Sequence, residues 1–586
     1  MSAINLGVGG GDRSGGQLLV DCLLEQGAEQ VFCVPGESYL AVLDALHDAP
    51  QIAVTTCRQE GGAAMMAEAH GKLTGRPGVC MVTRAPGATN ASAGVHIAFQ
   101  DSTPMLLLIG QVARGQLERE AFQEVDYRRF FGQMTKWVAQ IDDAARIPEF
   151  IARGYRTAMS GRPGPVVLAL PEDMLCDTAA GVPLPRVEAV AGQAGGGDLA
   201  ELAARLSAAE RPLALVGGAG WNAAGCAAMQ RFAERWDIPV AASFRCQDHF
   251  DNRHRNYAGD VGIAINPKLA QRVRDADLLL VLGPRLGEMT TGGYSLLDPA
   301  QPQPALIHVH AGAEELGRVY QPSLAICAQP AALATALAEL PPPAANWAPR
   351  WTAWRDAART DYLRWSEPPA TAAPGEQGGA SVVAGSGADL GSADPGCVDL
   401  GEVIVWLREH LPEDAVLCNG AGNYATWLHR YFRYRGWRTQ LAPTSGSMGY
   451  GVPAAIAAKR IHPERTVLAL AGDGCYLMHG QELASAVLHR LGVIFLVVNN
   501  GMYGTIRMHQ QRNYPDRVVA TELANPDFAA MAKAYGAFGE VVSNTGEFAA
   551  AFERVVASSR SSGLPALLEL RTDAQQITPA QRIADL

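Results

Sequence analysis

Apolar residues in this chain come in short unbroken runs rather than in alternation. Through the first third, EQVFCVPG, IAVTTCR, PGVCMVTRAPG, PMLLLIGQ and GPVVLALPED each read as a strand closed by Gly, Pro or charge. QLLVDCLLEQGA and EGGAAMMAEAHGKLTG, lying among them, read as helices. Continuous apolar strands separated by helices predict a parallel sheet covered on both faces. The pattern softens at VAGQAGGG (190–197) and resumes at Leu199, with RPLALVGGAGW, ADLLLVLGPRLG and PALIHVHAG as strands, as far as about Leu340. A third alternating region opens near Val398, with strands in DAVLCNGAG, TVLALAGDG, GVIFLVVNNG and PALLELRTD. PPPAANWAPRW and the Gly/Ala/Pro-rich run after it have little to bury, which predicts a linker. The expected fold class is α/β: three doubly wound parallel-sheet domains at 14–190, 198–345 and 398–586. A flexible tail at 1–13 and a linker at 346–397 complete the division.

Composition narrows the function. The chain has 586 residues, 48% apolar and 18% charged, and a net charge of −11. That length exceeds one hydrophobic core. No basic block is present, which argues against nucleic-acid binding. No run approaches the roughly 18 apolar residues of a membrane span, and the first residues lack the pattern of a secretory signal. Eleven scattered cysteines without a Cys-x-x-Cys pair suit reduced thiols in a cytoplasm.

Two strand ends carry the chemistry. TVLAL runs into AGDG around Asp473, and GVIFLVV runs into NNG at Asn499–Asn500. HGQELASAVLHRL between them supplies the helix of one crossover, so the two tips lie on adjacent strands. Ligands gather at the carboxyl ends of parallel strands. A carboxylate, a carboxamide oxygen and a backbone carbonyl form a hard oxygen set, suited to magnesium or calcium with phosphate oxygens as further ligands. Gly472 and Gly474 allow close approach of a phosphate. Either tip alone reads as an ordinary strand-to-helix turn; the pair at crossover spacing favours a site.

GDG followed at this distance by NN resembles the thiamin-diphosphate fingerprint of the acetolactate synthase/pyruvate decarboxylase superfamily. TTCRQEGGAAMMAEAHGKLTGRPGVCMVTRAPGATNASAGVHIAFQDSTPMLLLIGQ is similar to its pyrimidine-binding domain, TSGSMGYGVPAAIAAK to the segment that holds the cofactor bent, and AFQEVD and MTKWV to acetolactate synthases. The resemblance implies pyrimidine-binding, middle and diphosphate-binding domains in that order. It implies that Asp473, Asn500 and the Met502 carbonyl ligate Mg2+. It places Gly422, Asn423, Gly472, Gly474, Cys475, Asn500, Met502, Tyr503 and Gly504 around the diphosphate. Gly446 would accept from the aminopyrimidine amine, and Met448 would enforce the bent conformer. Glu60 would protonate the pyrimidine ring nitrogen, a task for a carboxyl whose pKa an apolar site raises; by itself it reads rather as an acid at a helix start, and the metal motif tips it to the functional role. The implied activity is decarboxylation of a small 2-oxo acid such as pyruvate, followed by protonation or by addition to a second carbonyl. The site would lie between the pyrimidine domain of one subunit and the diphosphate domain of another, in a homodimer or homotetramer.

Departures from the family pattern bear on the subfamily. Biosynthetic acetolactate synthases carry FAD in the middle domain, on a motif resembling G-x-R-F-D-D-R. GPRLGEMTTG keeps Arg285 but has Met289 where the second arginine would stand, and the strand expected to end in an acid ends in His310-Ala311. FAD is therefore expected to be absent. His509 stands where those enzymes place a tryptophan, either lining the pocket or lying in solvent. Phe122 and Gln123 match pocket positions. His70, His96 and His479 carry little signal, though His479 follows the diphosphate loop. A decarboxylase, an aldehyde lyase and a 2-hydroxyacyl-CoA lyase remain alternatives. A nucleotide-dependent oxidoreductase does not, because VFCVPGES lacks the required Gly-x-Gly-x-x-Gly turn. A silent paralogue is disfavoured by the joint presence of Glu60, Asp473 and Asn500.

Overall fold

The computed structural model describes residues 13–299, 303–342, 349–368 and 396–586. These fall into two compact units that divide between Val190 and Ala191. The first unit holds one six-stranded sheet and the second unit holds two, and all three sheets are wholly parallel. Most of the expected tail at 1–13 lies outside the described residues; Arg13 begins a short pairing of Arg13–Ser14 with Thr178–Ala179.

In the first unit the strands are β1 (Gln30–Cys33), β2 (Ala53–Thr56), β3 (Gly78–Val82), β4 (Met105–Gln111), β5 (Trp137–Gln140) and β6 (Pro165–Pro171), in the spatial order 2-1-3-4-6-5. β3, β4 and β6 are buried along their whole length, which is why their sequences do not alternate. Helix α1 (Glu60–Thr74) packs on α2 (Ala85–Asp101). Small residues permit this approach: a Cβ on Gly94 would come within 2.4 Å of the Ala64 Cβ.

The middle sheet contains β7 (Pro212–Val216), β8 (Val240–Ser243), β9 (Tyr257–Val261), β10 (Leu278–Leu282), β11 (Ala305–His310) and β12 (Leu324–Cys327), in the order 9-8-7-10-11-12. This is the 3-2-1-4-5-6 arrangement of doubly wound folds, with its switch point between β7 and β10. Part of the expected linker belongs here. Residues 346–348 and 369–395 lie outside the described residues, but Pro349–Trp365 forms a helix, α3. Its Trp351 is fully buried, donates from Nε1 to the Ala209 carbonyl at 3.1 Å and stacks on Trp236. Trp351, Ala358 and Tyr362 are all buried, a helical spacing that the surrounding Pro and Ala obscure.

The third sheet contains β13 (Val416–Asn419), β14 (Gln440–Leu441), β15 (Val467–Gly472), β16 (Ile494–Asn499), β17 (Phe538–Val542) and β18 (Ala566–Arg571), in the order 14-13-15-16-18-17. Counted from its own first strand, this order repeats that of the first sheet. The polarity of the chain therefore places the ends of β13, β15 and β16 side by side. Asp248 of the middle sheet's loops fixes the edge of this sheet, its Oδ2 accepting from Thr439 N at 3.1 Å and Gln440 N at 3.3 Å.

Candidate functional site

β15 and β16 are paired through Gly472–Val498, so the loops leaving them are neighbours. At the first tip, α4 (Asp473–His479) begins immediately after the strand. Asp473 is 3% exposed. Its Oδ1 accepts from Gly474 N at 2.8 Å, and its Oδ2 accepts from Gly501 N, beyond the second tip, also at 2.8 Å. The two tips therefore meet. Burial raises the Asp473 pKa, against the lowering effect of the N–H groups of Gly474, Asn525, Gly501 and Asn500. Those donors offset part of the cost of burying the charged form.

At the second tip, Asn500 Oδ1 accepts from Met502 N at 3.3 Å, and the Met502 carbonyl accepts from Gly504 N at 2.9 Å. Asp473, Asn500 and Met502 thus supply one carboxylate, one carboxamide oxygen and one main-chain oxygen. The described residues contain no cluster of three or more His, Cys, Asp or Glu able to hold a metal. The donor set here is accordingly poor in charge, and it fits a small hard cation that takes its remaining oxygens from a phosphate and water.

The switch point between β13 and β15 adds a third loop. Gly422 has φ +144° and is followed by Asn423, whose N–H donates to Thr505 Oγ1 at 3.0 Å while its Oδ1 accepts from the same hydroxyl at 2.9 Å. A Cβ on Gly472 would come within 2.9 Å of the Tyr424 ring, and one on Gly474 within 2.5 Å of the Tyr503 ring. Both glycines are required by space, not by backbone angle. Tyr503 and Gly504 lead into α5 (Gly504–Asn513). Cys475 turns inward: its Sγ accepts from Gly449 N at 3.1 Å and lies 3.2 Å from Tyr424 Oη, and burial pushes its pKa up. That side chain pins three loops together and leaves only its main chain for a ligand. Gly446 has φ +71° and is exposed, and the half-buried Met448 two residues on packs against the core. His479 sits behind this loop, its Nδ1 so close that a Cβ on Gly449 would come within 2.4 Å; burial pushes its pKa down to about 4 and keeps it neutral.

In the first unit, Glu60 opens α1 and is half-buried. Asn90 Nδ2 donates to its Oε2 at 2.9 Å, and Gly87 leaves space beside Oε1. Gln123 has φ +66°, and its carbonyl accepts from Ala85 N at 3.1 Å; Phe122 is 76% exposed. His96 is exposed, while burial pushes His70 down to about 4 and keeps it neutral. In the second unit, His509 lies exposed on α5, one helical turn beyond the loop cluster.

Two participants escape a reading of the sequence alone. Asn525 Nδ2 donates to Asp473 Oδ2 at 2.7 Å, and Glu569 accepts from Asn499 Nδ2 at 3.0 Å. Asn525 sits in ANPD, which reads as a turn. Glu569 gives one signal, a lone acid inside the apolar PALLEL.

Residues 13–130, 199–337 and 420–570 match, respectively, the N-terminal TPP binding domain, the central domain and the C-terminal TPP binding domain of thiamine pyrophosphate enzymes. The chain is 30% identical to the acetolactate synthase large subunit of Parasynechococcus marenigrum over 90% of its own length and 83% of that protein's. It is 30% identical to an acetolactate synthase of Mycobacterium bovis, again over 90% and 83%. With the acetolactate synthase isozyme 2 large subunit of Escherichia coli it shares 28% identity over 96% of both chains.

Proposed function

Since the chain belongs to the thiamine pyrophosphate enzymes, we propose that it uses Mg2+ and thiamin diphosphate to decarboxylate a small 2-oxo acid, pyruvate first, and join the remainder to a second carbonyl, as in acetolactate formation. The observation carrying this reading is the meeting of the two strand tips, with Gly501 N at 2.8 Å from Asp473 Oδ2. Bound thiamin diphosphate supplies a nucleophilic thiazolium carbon and an electron sink for departing CO2. The protein's part is to hold and orient it. Asp473, Asn500 and the Met502 carbonyl would hold the cation. Main-chain groups of Gly422, Gly472, Gly474 and Cys475, with Asn423, Tyr503 and Gly504 around them, would cradle the diphosphate. The Gly446 carbonyl would accept from the pyrimidine amine, and Met448 would set the bend between the rings. Glu60 would hold a proton on the pyrimidine nitrogen.

In this reading Glu60 comes from a second copy of the chain, so a homodimer is the smallest active form. Leu477 and Met478, each 43% exposed on α4 directly after the diphosphate loop, support such a contact. Phe122, Gln123 and His509 would line the substrate pocket. No helix among the described residues is long and apolar enough to cross a membrane. A cytoplasmic setting belongs to the same reading, from eleven scattered cysteines without a Cys-x-x-Cys pair.

The test is incubation with thiamin diphosphate, Mg2+ and a panel of 2-oxo acids, alone and paired with acceptor carbonyls or acyl-CoAs, reading CO2 and product. Acetolactate from pyruvate is expected. An aldehyde as sole product would replace carboligation by simple decarboxylation, and no CO2 from any 2-oxo acid would sink the reading.

A flavin is not part of this proposal. The glycine-rich turn after β7 is filled by the chain itself: Trp221 Nε1 donates to the Gly217 carbonyl at 2.9 Å, His249 Nε2 lies 3.1 Å from the Gly218 carbonyl, and a Cβ on Gly218 would come within 2.3 Å of the Gly283 carbonyl. Arg285 is engaged by Glu315 at 3.2 Å. The purified protein is expected to show no flavin absorption band; a stoichiometric yellow chromophore would contradict this.

A further inference from the structure

One run of side-chain hydrogen bonds ties the carboxyl ends of three adjacent strands, β15, β16 and β18. Glu569, 2% exposed, accepts from Asn499 Nδ2 at 3.0 Å and from Phe528 N at 3.1 Å. Asn499 Oδ1 accepts from Gly501 N at 3.2 Å and from Asn525 Nδ2 at 2.9 Å. The same Asn525 Nδ2 donates to Asp473 Oδ2 at 2.7 Å. Both hydrogens of that amide are then committed. Its Oδ1 is buried and has no hydrogen-bond partner among the described residues. A buried acceptor left without a donor is costly, so the amide is held in this orientation by its two donated bonds alone.

The two oxygens of Asp473 are therefore not equivalent. Oδ2 takes Gly501 N at 2.8 Å and Asn525 Nδ2 at 2.7 Å, whereas Oδ1 takes Gly474 N at 2.8 Å. A carboxylate oxygen with two donors already in place has little lone-pair density left for a cation. The other oxygen is the one on offer. Magnesium demands near-octahedral geometry and takes carboxylates through one oxygen, while calcium is larger and accepts both oxygens of one carboxylate.

Resting on the reading of Asp473 as the carboxylate that holds the cation, we infer that Asn525 is a positioning residue that selects the metal. It occupies Asp473 Oδ2, restricts the carboxylate to one-oxygen ligation and so favours Mg2+ over Ca2+. Asn499 and Glu569 hold the Asn525 amide in that orientation. The first asparagine of the NN pair thus acts as a brace, and the second is left as the ligand.

The experiment measures binding, not turnover. Thiamin diphosphate retention by the full-length protein is titrated with Mg2+ and separately with Ca2+, by equilibrium dialysis. In Asn525→Ala the Mg2+ concentration for half-saturation should rise on the order of tenfold, as removal of partners behind metal ligands does, and the Mg2+/Ca2+ preference should narrow because Oδ2 is released. Asp527→Ala removes the cap of the helix that follows (Ala530 N to Asp527 Oδ1, 2.8 Å) and serves as the structural control; it should lower Tm and leave the metal preference unchanged. Asn525→Ser takes the place of the alanine variant if that does not fold. An Asn525 variant with an unchanged Mg2+/Ca2+ ratio, or an Asp527 variant that shifts it equally, would overturn the inference alone. A wild-type protein that needs no divalent cation to retain the cofactor would overturn the reading of Asp473 and the inference with it.

Discussion

Asp473→Ala should abolish magnesium-dependent retention of thiamin diphosphate. After dialysis in Mg2+ the wild-type protein is expected to keep the cofactor stoichiometrically and the variant to keep none. Asp473 is the one carboxylate among the three oxygen donors at the two tips, so its removal takes away the only formal negative charge those three donors offer a divalent cation. The loss should exceed the roughly 100-fold at which removal of partners behind metal ligands levels off. A second effect acts in the same direction. Gly501 N and Asn525 Nδ2 both donate to Asp473 Oδ2, so the alanine variant leaves the second tip without its tie to the first. Circular dichroism separates this from unfolding, since the sheet beneath the tips is apolar and does not depend on the carboxylate. Unchanged retention by a folded Asp473→Ala protein would remove the metal site from this loop pair.

Glu60→Gln should behave in the opposite manner, with cofactor binding kept and turnover lowered by roughly 10²- to 10⁴-fold, the range for removal of one acid–base group. Glutamine has the shape of glutamate, and its carbonyl oxygen can still accept from Asn90 Nδ2, which lies 2.9 Å from Oε2 in the wild-type chain. Gly87 leaves the space beside Oε1 open in both. What the amide cannot do is lend a proton. The acid at the start of α1 also interacts with the helix dipole, worth about 0.3–1 kcal/mol, so Tm should barely move. Cofactor affinity is read by fluorescence quenching and turnover by CO2 release from pyruvate. Wild-type turnover in this variant would mean that the carboxyl is only a helix-start acid.

Much of this architecture is legible in residue order because a strand buried on both faces needs no alternation. PALLEL, TVLALAG and GVIFLVVN each declare themselves, and they lie in the middle of the third sheet. The strands that escape are the short and edge ones. β14 spans only Gln440–Leu441, and β17, FGEVV, is half-polar. β8, VAAS, has too few large apolar groups to stand out. α3 is hidden for a different reason: Trp351 and Tyr362 are far apart in sequence and join one face only when the turn geometry is imposed. The candidate site divides along the same line. Asp473 and Asn500 follow buried strands and are marked by glycines. Asn525 lies 52 residues beyond Asp473 and reaches it through a loop, so no local pattern signals the contact.

At the switch point of the middle sheet, the turns that follow β7 and β10 touch each other. Gly218 and Gly283 meet main chain to main chain, with Gly217 against Gly283 on the other side. Trimming Trp221 or His249 would leave that main-chain contact in place, although Trp221 and Pro330 also border Gly283. Widening that seam would take a coordinated shift of two loops, so no single side-chain trim reaches it and the two loops are coupled through their backbones.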